Sequence, residues 1–182
     1  MAVWNRLKDQ ARALQQAQGG RSPMGGQRHG GGSGSGARSQ LVSTLKTQLG
    51  SLKTELKSGA YRDASMAMCA LVAAADGHVD PAERQHVESM ILSNDVLQNF
   101  PPDQLRQRFN AHVDRLTRDF AQGRAEAMRD IAKAAKKPTE ARAVIQTGIV
   151  IAAADGDFSQ PEQTVIREAC ATLGVSPAEF QL

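Results

Sequence analysis

The sequence predicts an all-α protein: a pseudo-symmetric helical bundle of two related helical hairpin halves, with a flexible Gly-rich linker near the N-terminus. Three observations predict it. Aromatic residues are only 4% of the 182 residues, inside an apolar share of 41% that is rich in alanine. That balance suits close-packed helices rather than strands built from β-branched and aromatic residues. Apolar residues recur at spacings of three and four through most of the chain, and no alternating stretch competes. One sequence pattern returns at an offset of 79 residues.

Residues 1–17 read as a basic amphipathic helix. Val3, Trp4, Leu7, Ala11 and Leu14 form its stripe, with Arg6, Lys8 and Arg12 mostly off it. Residues 18–38 read as a Gly/Ser-rich disordered linker, since nine of the eighteen residues 19–36 are glycine. Such a stretch does not recover the entropy of ordering it. A second basic helix carries Leu41, Leu45, Leu49, Leu52 and Leu56 on one face and ends at Ser58-Gly59. Beyond it the periodicity predicts helices over 61–75, 81–93, 103–119, 121–136, 139–154 and 161–173. A short final turn follows Ser176-Pro177. The breaks carry Asp-Gly, Phe-Pro-Pro, Lys-Lys-Pro and Leu-Gly-Val-Ser-Pro, the residues expected where helices stop.

Composition excludes several classes. Two cysteines, Cys69 and Cys170, exclude a disulfide framework and a multi-cysteine zinc site. No apolar run is long enough to span a bilayer; the best, 144–154, is broken by Gln146, Thr147 and Gly148. The opening residues have no apolar core of a secretory leader. Charge is uneven. Residues 1–60 hold nine Lys/Arg against two acids, and 61–182 hold thirteen against seventeen. A basic arm of net +7 joins a body of net −4, so the two parts should meet different partners. No P-loop, dinucleotide fingerprint or nucleophile elbow is present, so no enzyme activity is expected. The arm has one aromatic and no stacking set, so no specific nucleic acid is expected either. With its Trp4-containing helix the arm could lie on anionic lipid through Trp4, Arg6, Lys8 and Arg12, or fold back onto the bundle.

The repeat carries the functional signal. About 64–93 and about 143–172 share Ala-Ala-Ala-Asp-Gly-x-apolar-x-x-x-Glu, quoted as Ala73-Ala74-Ala75-Asp76-Gly77 and Ala152-Ala153-Ala154-Asp155-Gly156. Gly77 and Gly156 suit a left-handed residue after a helix. Asp80 with Glu83, and Ser159 with Glu162, read as capping boxes for the following helices. Asp76 and Asp155 fit less well, because a carboxylate at a helix C-terminus opposes the dipole. An Asx-turn accounts for such a residue; so does a cation held by carboxylates and carbonyls. The spacing overlaps the second half of an EF-hand loop. The positions for its first ligands hold Val72 and Ala74 in one copy, and Ile151 and Ala153 in the other, so neither is complete. A metal site would have to combine the turns or use waters.

These turns, the stretch Phe120-Ala121-Gln122-Gly123-Arg124-Ala125-Glu126-Ala127-Met128, and Lys137-Pro138-Thr139-Glu140-Ala141 together resemble the TerB family of bacterial tellurite-resistance proteins. The resemblance covers about 39–182. It implies an all-helical fold and a non-enzymatic role in resistance to tellurite and other stresses. It also implies work with other proteins of the resistance system, membrane-bound ones included, at the cytoplasmic face of the membrane. Carried over by residue, it implies a divalent cation, calcium or magnesium favoured, at Asp76, Glu83, Asp155 and Glu162, with Asp80 and Asp157 secondary. The glycine-rich insert departs from the family core, and Ser159 in place of a second Asp80 makes the two turns unequal.

Overall fold

The structure, a computed structural model, describes residues 33–154 and 158–182. Among them are seven α-helices and no strand: α1 Ser33–Ser51, α2 Gly59–Ala73, α3 Pro81–Ser93, α4 Pro102–Arg118, α5 Phe120–Ala132, α6 Pro138–Ala152 and α7 Gln160–Leu173. Short 3-10 turns cover Leu97–Asn99, Lys133–Lys136 and Pro177–Phe180. The all-α expectation holds, and the helices from α2 onward fall within two residues of their expected starts. The basic helix at 1–17 and the linker up to residue 32 lie outside the described residues.

Local chemistry explains the boundaries. Ser58, Asp80, Asp119 and Ser159 each accept a backbone N–H from the first turn of the helix they precede. Proline starts α3, α4 and α6, where its missing N–H is harmless. Gly174, at φ 68°, closes α7 in the left-handed conformation, and the Val175 N–H reaches back 2.9 Å to the Cys170 carbonyl.

α1 departs from expectation at both ends. It starts at Ser33, so the last six residues assigned to the linker are helical. Once a helix is nucleated, each added residue gains a backbone hydrogen bond, which offsets glycine's low propensity. It stops at Ser51 rather than running to Ser58-Gly59. Beyond Gly50 the chain tightens into turns, with Leu52 N–H bonded to the Leu49 carbonyl at 3.0 Å. The Asn99 amide donates to the Lys53 and Leu56 carbonyls at 2.6 and 3.2 Å, which holds this stretch in turns and off the helical path. Leu45, Leu49 and Leu56 are still buried, as the stripe requires.

α2 and α6 form the centre. From Ala64 to Ala73 every residue of α2 is buried, and so is every residue of α6 from Ala143 to Ala152. Their sequences look apolar all round because both are covered on every side. They meet at Gly148, where an added Cβ would stand 2.7 Å from Met68 Cγ. The Tyr61 hydroxyl lies 2.9 Å from Thr147 Oγ1, which itself donates to the Ala143 carbonyl at 2.8 Å. Tyr61 is therefore the donor to Thr147. Burial pushes its pKa up to about 12. α4, α5 and α7 pack around α2, and α1 lies along α6, tied by the Gln146 amide to Gln48 Oε1 at 2.8 Å.

Helix bounds repeat at the 79-residue offset: α2 maps onto α6, and α3 onto α7. Burial does not repeat. α7 buries Glu162, Gln163, Val165, Ile166, Ala169, Cys170 and Leu173, whereas α3 buries only Val87 and Ile91.

α4 and α5 form a hairpin turned at Asp119. A Cβ on Gly123 would stand 2.6 Å from the Leu116 amide nitrogen and 2.8 Å from the Arg115 carbonyl carbon. That obstacle is backbone, which cannot rotate aside. Gly123→Ala should destabilise the protein by about 1–3 kcal/mol. Gly50→Ala, with nothing within 4 Å, should be neutral or stabilising by up to about 1 kcal/mol. Urea unfolding of both variants checks this, and equal midpoints would show that the α4–α5 contact is looser than described.

Candidate functional site

The first acidic turn is fully described. Its entry repeats the second: Ala74 N–H bonds to the Ala70 carbonyl at 3.0 Å, as Ala153 N–H does to Ile149 at 2.9 Å. Gly77 then takes φ 88°, the left-handed conformation its position called for. Asp76 turns its carboxylate forward, and Oδ1 accepts the His78 N–H at 3.1 Å. This is the Asx-turn, and it gives Asp76 a structural role that the helix dipole alone would deny it. Asp80 Oδ1 accepts the Glu83 N–H at 2.8 Å as the α3 cap. Burial raises the Glu83 pKa.

In the second copy Asp155, Gly156 and Asp157 lie outside the described residues. Glu162 is described. It is buried, its Oε2 accepts the Ser159 N–H at 2.7 Å, and Ser159 Oγ accepts the Glu162 N–H at 3.4 Å. This capping box satisfies two otherwise free backbone donors at the start of α7.

The described flanks of the two turns do not converge. Ala154 shares a cleft with Met90, Ser93 and Asn94, at the C-terminal end of α3. Asp76 and Asp80 stand at the N-terminal end of α3, a helix of thirteen residues, about 20 Å long at 1.5 Å per residue. A single ion held jointly by both turns is not favoured by this placement. Among the described residues no group of three or more His, Cys, Asp or Glu side chains is arranged to hold a metal. The lipid-facing residues expected from the sequence, Trp4, Arg6, Lys8 and Arg12, lie outside the described residues. Among the described residues no helix is long and apolar enough to cross a membrane.

Both thiols are buried. Burial pushes Cys69 up to about 12 and Cys170 up to about 11, so neither is a ready thiolate.

A polar cluster at α4 and α5 escaped the sequence reading. Asp63, Arg108, His112, Arg115 and Asp130 line a cleft of about 310 Å³. Burial raises the Asp63 carboxyl, but the hydrogen bonds and charges of Arg62 and Arg108 outweigh it, leaving its pKa below the usual value. His112 Nε2 lies 3.1 Å from Asp130 Oδ2, and Lys133 Nζ lies 2.6 Å from Oδ1. Burial lowers the His112 pKa despite Asp130 beside it. A neutral ring with its proton on Nε2 fits this geometry, since Nδ1 is buried without a protein partner. No periodicity announces the pair. The available signal was the hairpin itself, which sets His112 opposite Asp130 and Arg115 opposite Glu126 about its turn.

A depressed histidine pKa means the unfolded chain binds the proton more readily than the folded one. Stability should therefore fall as pH drops below 6.5, the ordinary value, by up to about 1.4 kcal/mol per pH unit. His112→Gln should remove that slope. Urea midpoints at about pH 7 and about pH 5.5 test it, and equal losses in parent and variant would rule His112 out as the cause.

Among known proteins, a family model described as Tellurite resistance protein TerB matches residues 62–182. No curated protein and no solved structure matches the chain.

Proposed function

The chain belongs to the TerB family, and from that premise we propose that it is a non-enzymatic adaptor in tellurite resistance. It would join other proteins of the resistance system, membrane-bound ones among them, at the cytoplasmic face of the membrane. The family is generally not catalytic. The observation that carries the reading is the unequal burial of the repeat. α7 buries one side completely, while its counterpart α3 has His86 exposed where α7 buries Val165, and Met90 half-exposed where α7 buries Ala169. α3 is held by Val87 and Ile91 and, toward α4, by Arg84 and Glu88, and it leaves Gln85, His86 and Ser89 exposed for a partner.

Gln85 and Ser89 are exposed one turn apart on α3. Gln85→Arg with Ser89→Arg should abolish most of the tellurite resistance the parent confers on a host lacking its own, with helicity and melting unchanged. Cys69→Ala and Cys170→Ala should keep that resistance. Full resistance from the α3 double variant would remove this helix as the contact surface, and loss through the cysteine variants would point to redox chemistry instead.

A second reading is a divalent cation at the first turn, where Asp76, Asp80 and Glu83 bring three carboxylates to one short segment. Oxygen ligands favour calcium or magnesium. Asp76→Asn keeps an acceptor for the His78 N–H while removing a charge. Calcium or magnesium should produce saturable amide shifts around Gly77 in the parent, with affinity at least tenfold weaker in the variant. No shifts at millimolar cation, or equal shifts in both proteins, would leave the turn with its capping role alone.

A further inference from the structure

Where α1 meets the end of α6, Leu41, Val42, Ile149 and Phe158 line an open groove of about 270 Å³, with Arg38 and Lys46 beside them. Past Lys46 it continues into a second cleft, of about 250 Å³, that includes Leu49 and Met90. Leu41, Val42 and Phe158 are only half-buried, although each packs on the core. Among the described residues nothing covers this apolar groove, which suits it to docking a segment from elsewhere.

The chain supplies one. The helix that forms the groove begins at Ser33. Thirty-two residues precede it, and the first seventeen carry the stripe Val3, Trp4, Leu7, Ala11 and Leu14. We propose that residues 1–17 fold back and dock this stripe in the groove, with Trp4 as the anchor. Residues 18–32 form the leash. A glycine-rich chain of that length spans about 20 Å, and the reach from Ser33 to Lys46 along α1 is also about 20 Å. The stripe can therefore return to the groove without strain. So short a tether gives a millimolar effective concentration, enough to populate a contact that would be weak between separate molecules. The rim cations Arg38 and Lys46 set the orientation. They require Arg6, Lys8 and Arg12 to face outward, and these three lie mostly off the apolar stripe.

Trp4 is the sole tryptophan, so the intrinsic fluorescence of the full chain reports on it alone. Docking predicts blue-shifted emission, and acrylamide quenching at least twofold weaker than for free tryptophan, both independent of protein concentration. Leu41→Asp with Val42→Asp, and separately Phe158→Ala, should shift the emission to the red and raise the quenching at least twofold. Far-UV circular dichroism should stay unchanged in at least one of the two. Groove variants that leave Trp4 as protected as the parent would overturn the proposal. So would protection lost on dilution, which assigns the groove to a second copy. Water-like emission that turns blue only with vesicles of phosphatidylserine and phosphatidylcholine would assign the arm to lipid.

Discussion

The structure depends on the crossing of α2 and α6 at Gly148. Two helices covered on every side can approach closely only where side chains make room, and the missing Cβ of Gly148 admits Met68. The Tyr61–Thr147–Ala143 hydrogen-bond chain lies at the same crossing and satisfies the polar groups there. An apolar helix pair alone could slide by a turn. A buried hydroxyl bonded at 2.9 Å resists that, because a shifted register strands it without a partner. The helices outside this pair then settle on faces it has already fixed.

The electrostatics follow from the same packing. α4 and α5 are drawn together until the Gly123 backbone touches Leu116, and the charged residues on their shared edge must pair: Arg115 with Glu126, His112 with Asp130. α5 and α7 are joined by Arg124 and Glu168, and the C-terminal turn is tied to α6 by Arg142 and Glu179. Several of these pairs are half-exposed and screened by solvent, so they orient helices more than they stabilise them. His112 is the exception, since it is buried and must stay neutral.

The described parts of the acidic turns are built on backbone hydrogen bonds. Asp76, Asp80 and Glu162 each accept a backbone N–H, and those bonds account for their positions without a ligand. Glu83 is half-buried at the same turn, and burial raises its pKa. The repeat preserves backbone chemistry closely while the surroundings of its two copies diverge. α7 has α5 beside it, and α3 does not.

The sequence by itself determined the helices, their caps and the repeat, because these rest on interactions between residues three or four apart. Ser159 and Glu162 announce their box from spacing alone, and Gly77 announces its left-handed turn. Tertiary structure decided what spacing cannot carry. The end of α1 at Ser51 is set with help from Asn99, forty-six residues from Lys53. The His112–Asp130 pair arises only when two helices fold against each other. The two acidic turns look equivalent in sequence, yet their described flanks fall at opposite ends of α3. Sequence periodicity states which face of a helix is apolar. Which neighbour covers that face, and which face stays open, depends on contacts between residues far apart in the chain.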